Sequence, residues 1–381
     1  MIYLYLNFIF IFFIIFEFFK RKTLFLKVGV IIFLLFSALR YQTGLDWLMY
    51  NNYYNLNISD VISRGNTGMA YIYMMDIFKK LNFEYYGMQF VISIFTGGVI
   101  YKFYKKNSKY PMLCLFIYYN MYYLRYNMGL QKQILAISLC LIAYDSYFHN
   151  KMKKAIIFFI LALNFHFSSI IFLLMFLFEK LRITRKTQII IMTFFIMSIV
   201  ILRINIANLI LEKFLIITKL INLEFINNKI VTYFGHEYYS KEAIIGKNLI
   251  IRIFLIFSFI LLKKPINKNE RFIYYGATLY IILSCISLNF YILDRLVVYF
   301  GIFAIILFAN FIDITKDKQQ RFIILIFLSL YFSYSSIYLS LFQKGTRHYL
   351  RFVPYYNIIT RETSIERLKA ELGELGELGE E

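Results

Sequence analysis

The hydrophobic positions of this chain fall in long runs, not in alternation and not on one narrow helical stripe. Near-continuous Ile, Leu, Phe and Val occupy residues 1–19, 23–39, 87–104, 110–124, 133–148, 188–202, 248–262, 272–288, 296–310 and 322–341. Apolar runs approaching ~20 residues can cross a hydrocarbon core of ~30 Å as helices. A transmembrane barrel would instead show alternating segments of ~10 residues. The pattern predicts an all-α polytopic transmembrane protein with about 10–12 spans.

The polar positions between the runs set an orientation. Basic clusters lie at 20–22, 105–109, 151–154, 179–186, 263–271 and 316–321. Placing all six on the cytoplasmic side satisfies the positive-inside tendency. Residues 40–86, 125–132, 203–247, 289–295 and 342–381 then face outward, and 40–86 and 203–247 are substantial external loops. Residues 155–178 join two basic clusters with length for one comfortable crossing only. The polar break N-F-H-F-S-S at 164–169 predicts a short re-entrant hairpin turning near His166, because non-helical backbone at that depth must be enclosed by protein. A single span with one cluster misplaced is the alternative. Residues 1–360 form one polytopic domain. The tail 361–381 ends in an E-L-G repeat and is read as an expression scar or a natural frayed end, outside the functional reasoning.

Composition supports this picture. Of 381 residues 60% are hydrophobic and 17% charged, and mean hydropathy is +0.62; soluble domains carry about 25% charged residues. The net charge of +20 sits in clusters between apolar runs, so it reads as topology and not as nucleic-acid binding. Cys114, Cys140 and Cys285 lie inside apolar runs without metal-ligand spacing and read as small buried hydrophobes. The first run lacks a basic n-region and an A-x-A-like site, so it is expected to be retained.

Ionisable residues at the outer ends of spans are costly to place and therefore informative. Asp46, set among Trp47, Tyr41 and Tyr50, is a candidate general base; the bland reading is a helix cap or a partner of Arg40. Arg40 is a candidate phosphate ligand or a snorkelling anchor. Arg125 and Lys132 flank a turn, and Lys132, between Gln131 and Gln133, opens a helix that suits an anion. His166 is a second candidate base or a core hydrogen-bonder. Asp294 and Arg295 are either functional or an internal ion pair. Arg347, His348 and Arg351 follow the last span. Tyrosines including Tyr50 and Tyr53 read as an interfacial belt or as flat faces for a sugar. No G-x-x-x-x-G-K-[ST], D-x-D, H-E-x-x-H or Cys/His cluster is present. No cofactor or metal is expected.

Four elements carry a resemblance. R-Y-Q-T-G-L-D-W-L-M-Y-N-N-Y follows the second run. Y-N-M-G-L-Q-K-Q-I-L-A surrounds Lys132, F-H-F-S-S surrounds His166, and D-R-L-V-V-Y-F, followed by P-Y-Y-N-I-I, contains Arg295 and Tyr299. In this order they resemble the EpsG-like family of bacterial polysaccharide polymerases, the O-antigen polymerase (Wzy) group, over roughly residues 1–360. The family's usual arginine in the second element is Lys132 here, and Arg125 is a substitute cation. The resemblance implies a GT-C-like glycosyltransferase of the inner membrane with a periplasmic active face. It implies inverting, metal-independent transfer of a growing chain from undecaprenyl diphosphate to a new lipid-linked repeat unit. Asp46 or His166 would act as base, and Arg40, Arg125, Lys132, Gln133, Arg295, Tyr50, Tyr53 and Tyr299 would contact substrate. Expected partners are undecaprenyl-diphosphate-linked oligosaccharide, membrane lipids, a chain-length regulator (polysaccharide co-polymerase) and a flippase. An O-antigen ligase or a lipid-linked oligosaccharide flippase are the alternatives.

Overall fold

The computed structural model describes residues 2–20, 23–63, 68–200, 245–263, 265, 267–287, 293–341 and 346–372. In chain order the helices are α1 Ile2–Lys20, α2 Thr23–Ala38, α3 Trp47–Asn55, α4 Ile58–Ser63, α5 Met69–Lys80 and α6 Tyr85–Asn107. Then come α7 Pro111–Tyr118, α8 Leu124–Tyr126, α9 Gln131–Phe148, α10 Met152–Phe165, α11 Leu174–Lys180 and α12 Arg185–Val200. The last are α13 Ile245–Leu261, α14 Lys268–Ile286, α15 Asp294–Asn310, α16 Lys318–Leu341, α17 Arg347–Phe352 and α18 Ile365–Leu372. The described residues contain no strand, only an isolated antiparallel bridge between Arg40 and Asn357. The all-α expectation holds, and a helix stands at each predicted apolar run.

Among the described residues two helices are long and apolar enough to cross a membrane, at 2–19 and 294–314, and 25–38 and 250–261 are shorter apolar helices. The external segment 203–247 lies outside the described residues, apart from the start of α13, and so does Tyr291. The break predicted near His166 is present. Helix α10 ends at Phe165, His166 is extended (φ −156, ψ 115), and a 3-10 helix follows over Phe167–Leu173.

The chain divides into two compact units, residues 1–169 with 315–381 and residues 170–314. In the first, α1 packs on α2, α7 and α16, α2 on α6, and α9 on α6 and α10. Pro111 opens α7 at a position that needs no amide donor. The Glu17 carboxylate accepts from the Met112 amide at 3.1 Å. A buried polar chain runs across three elements: Asn120 Nδ2 donates to Asn7 Oδ1 (3.0 Å) and Asn7 Nδ2 to Ser333 Oγ (2.7 Å). Each group has a partner, so the chain can fix the register of apolar helices that would otherwise slide. Helix α7 continues through a π-helical stretch, Tyr119–Tyr123, before α8. In the second unit α14 packs on α11, α12 and α15. Its start is capped by Asn267, whose side chain accepts from the Glu270 amide at 2.8 Å. A Cβ on Gly276 would lie 2.6 Å from the Phe303 ring, so that glycine sets how closely α14 and α15 approach.

Candidate functional site

Within the first unit the R-Y-Q-T-G-L-D segment is a knot of backbone contacts. The Tyr41 amide donates to Tyr356 O (2.9 Å), the Gly44 amide to Arg351 O (2.8 Å) and the Ile358 amide to Leu39 O (2.8 Å). Gln89 Nε2 donates to Arg40 O at 2.7 Å. Gly44 has φ +112, and a Cβ there would lie 1.8 Å from Met128 O. Only glycine permits that approach, which presses the segment onto the Y-N-M-G-L turn. Gly129 answers it, since a Cβ on Gly129 would lie 2.9 Å from the Leu45 side chain. The glycines of two separate sequence elements are thus two sides of one contact.

Arg40 holds the same contact from below. It is fully buried, and Nη1 donates to Ser37 O (3.0 Å) and Asn127 O (2.7 Å). Burial pushes its guanidinium pKa down, with no carboxylate among the groups that act on it. Asn127 is fixed in turn by Tyr118 OH, which donates to its Oδ1 at 2.6 Å. As placed, Arg40 Nη1 is bonded to two backbone carbonyls.

The segment is strained and incompletely satisfied. Gln42 (φ 43) and Asp46 (φ 57) are left-handed without being glycine. Such residues cost on the order of 1–3 kcal/mol and persist where surroundings over-determine them. Arg40 Nε, Gln42 Oε1 and Trp47 Nε1 are buried without a hydrogen-bond partner among the described residues. Asp46 stands at the N-cap of α3 but makes no capping bond. It forms no ion pair with Arg40 among the described residues, so neither bland role proposed for it is filled. Its carboxylate is half-buried.

Lys132 reaches the α3 helix that Asp46 precedes. Its Nζ stands 5.8 Å over the Tyr50 ring, and Tyr50 is one turn along α3, its amide bonded to Asp46 O at 3.0 Å. Beside Lys132, Tyr71 OH donates to Gln131 Oε1 (2.8 Å) and Gln131 Nε2 to Tyr85 OH (2.9 Å). This relay fixes the start of α9. Gln133 is buried. Tyr50 is buried in a cluster with Trp47, Tyr54, Tyr71, Tyr85 and Leu135, against which half-buried Tyr53 and Phe165 pack. The tyrosine belt foreseen at this face is largely core, because the hydroxyls find internal acceptors: Tyr54 OH, for one, donates to Phe83 O. Tyr50 and Tyr299, both foreseen as sugar contacts, are buried.

Phe165 brings the F-H-F-S-S element to this cluster. Gly68, just before α5, lies so near Asn164 O that a Cβ would be 2.4 Å away. His166 is half-buried, and its Nδ1 lies 2.6 Å from Ser168 Oγ. Asp294 and Arg295 open α15 in the second unit.

Sequence reasoning missed two features. The first is Arg367, inside the tail that had been set aside on composition. Part of that tail is α18, and Arg367 is buried. It donates from Nε to Leu350 O (2.6 Å), from Nη1 to Gln42 O (2.7 Å) and Thr43 Oγ1 (3.1 Å), and from Nη2 to Pro354 O. Its guanidinium lies 4.5 Å from the Tyr356 ring centre. A basic residue in a Glu-rich stretch gives no signal of burial. The second is the grouping of Arg125 with His348 and Arg351, which the sequence names at two separate places. Loss of hydration, then the charges of Arg351 and Arg125, push the His348 imidazole down to about 4. Its ring is nonetheless exposed, so water screens part of that repulsion. Arg125 also lies 5.8 Å over the Tyr126 ring. No group of three or more His, Cys, Asp or Glu that could hold a metal occurs among the described residues.

Comparison with known proteins agrees with the interlocked motifs. No curated protein and no solved structure matches the chain. The sequence model of the EpsG family matches residues 22–357, from the second apolar run to the P-Y-Y-N element. The chain therefore belongs to the EpsG family, which is associated with polysaccharide polymerisation.

Proposed function

We propose that this protein is a multi-pass polysaccharide polymerase of the bacterial inner membrane, with a GT-C-like architecture and its active face in the periplasm. It transfers a growing glycan from undecaprenyl diphosphate to the non-reducing end of a new lipid-linked repeat unit. One inverting displacement accounts for the reaction. The acceptor hydroxyl attacks the donor anomeric carbon and yields its proton to Asp46 as the new C–O bond forms. The bond to the diphosphate breaks, and the diphosphate leaves with its electron pair.

The observation that carries this reading is the state of the R-Y-Q-T-G-L-D segment: strained, and, among the described residues, left with unpaired buried groups and a carboxylate without an ion-pair or capping partner. The strain and the unpaired groups add nothing to folding stability, and cost of this kind gathers at functional sites. Lys132 and Arg125 are the proposed contacts to the departing diphosphate, where a fixed cation in a water-poor site stabilises developing charge. Arg40 positions the Asn127 turn that carries Lys132. His166 is the alternative base. Arg295, in the second unit, is by itself a proposed anion contact on the ground of its sequence motif, and Arg295→Ala in the same polymerase-deficient strain tests it: a normal ladder at normal protein level removes that role. A chain-length regulator and a flippase are proposed partners.

Expression of Asp46→Asn in a strain lacking its own polymerase tests the assignment. Glycan capped with a single repeat unit, at normal protein level, is the expected result. A normal long-chain ladder overturns the role of Asp46. In a strain without the gene, loss of all repeat units from lipid A would indicate a ligase, and repeat units that never reach the periplasm would indicate a flippase.

A further inference from the structure

The second unit holds a cavity of about 350 Å³ at the start of α12, and Arg182, Arg185, Arg271, Glu179, Thr184 and Gln188 are among its lining residues. Thr184 ends the loop before α12, and its Oγ1 accepts from the Thr187 amide at 3.2 Å. The first-turn amides of a helix favour an anion placed before them. Three guanidiniums line the cavity against one carboxylate. Part of that charge is already used: Arg185 Nη2 donates to Phe259 O and to Leu262 O (2.6 Å), carbonyls at the end of α13. Glu179 Oε1 stands 4.0 Å from both Arg271 Nη2 and Lys268 Nζ, so it is shared between two cations at long range. Arg182 is exposed, and its backbone is held left-handed at φ 49. Gln188 supplies an independent sign of a missing ligand. It is 2% exposed, and its Nε2 has no partner among the described residues. A buried amide donor left unpaired is destabilising, and a ligand oxygen would offset that cost.

We propose that this cavity binds a phosphate-bearing anion, with Arg182 and Arg271 as its charge partners and Gln188 as a neutral donor. Its volume suits a phosphate with a small polar head. The lining loops are two of the chain's basic clusters, at 179–186 and 263–271. In the multi-pass reading proposed above these clusters face the cytoplasm, where anionic phospholipid headgroups are concentrated. The lipid source rests on that reading, and the anion site does not.

The full chain, purified in mild detergent, would be examined by native mass spectrometry with added phosphatidylglycerol or phosphatidylcholine, and by titration with inorganic phosphate alone. Retention of phosphatidylglycerol over phosphatidylcholine, falling about tenfold in Arg182→Gln/Arg271→Gln and in Gln188→Leu, is expected, since a charge-assisted hydrogen bond is worth about that factor. Saturable phosphate binding lost in the same variants, without preference for phosphatidylglycerol, supports the site with a soluble ligand. Binding equal in wild type and variants, or none of either ligand, overturns it. Arg182→Lys keeps the charge and should retain binding, which separates a lost site from a lost fold. Glycan ladders from the same variants report independently on the polymerase assignment.

Discussion

Replacing Arg367 with Ala tests whether the C-terminal helix holds the R-Y-Q-T-G-L-D segment in place. The substitution removes donors to Leu350 O, Gln42 O, Thr43 Oγ1 and Pro354 O, and the guanidinium that faces Tyr356. Hydrogen bonds from a charged donor contribute ~1.5–3 kcal/mol each, and a desolvated cation–π contact ~2 kcal/mol. Against that sum stands the cost of keeping a guanidinium out of water, several kcal/mol. At the low end of that balance the net loss is ~3 kcal/mol, so the local opening equilibrium shifts by about 100-fold or more. The amides of Tyr41 and Gly44, bonded to Tyr356 O and Arg351 O, report that opening directly. Hydrogen exchange on the purified chain should show both accelerating by about 100-fold while amides in α9 hold their rates. Arg367→Lys, which keeps the charge but not the planar fork, should fall between. Exchange at Tyr41 and Gly44 within threefold of wild type in Arg367→Ala would refute the latch (roughly 0.6 kcal/mol, inside the range of an ordinary surface change).

Gly44→Ala places a Cβ 1.8 Å from Met128 O at φ +112 and should cost more than ~3 kcal/mol, seen as reduced folded yield. Gly98→Ala, with nothing within 4 Å of the added Cβ, should be neutral or mildly stabilising in the same assay. Asp46→Gly should relieve ~1 kcal/mol of left-handed strain yet give no long glycan, so thermal stability and ladder length should move in opposite directions. His348 is held below its ordinary value of 6.5, down to about 4. An unfolded chain therefore binds more protons in that window, and stability should decline as pH falls from 6.5 towards 4. His348→Gln should flatten that part of a melting-temperature profile. Lys132→Arg restores the family's usual residue and should keep the ladder, whereas Lys132→Gln should shorten it at unchanged protein level.

Much of the helical plan was legible in the sequence. A helix stands at each apolar run, and the polar break at 164–169 predicted the end of α10, whereas the short helices α3, α4, α17 and α18 had no apolar run to announce them. The glycines of the first two motifs were visible as letters but not as a pair. Their close approach joins residues more than eighty positions apart, and no local pattern encodes that. The tyrosines misled for a related reason. A tyrosine near the end of an apolar run scores as interfacial, but Tyr50, Tyr54, Tyr123 and Tyr126 are buried. Whether a phenol hydroxyl meets water or a carbonyl is settled by what packs against it.

Period and composition by themselves determined the all-helical class, the basic loops and a short roster of ionisable residues, because these follow from local hydrophobicity and its spacing. The tertiary structure decided which roles those residues take. Arg40 became a buried clamp because carbonyls from its own helix end and from the Asn127 turn converge on it. Asp46 makes no capping bond, and among the described residues its carboxylate has no ion-pair partner, although it stands where a helix begins. Arg367, in a stretch read as a frayed tail, became a latch because folding carries it to the carbonyls of Gln42 and Leu350. A charge is costly or useful according to the groups that surround it, and in this chain those groups come from distant parts of the sequence.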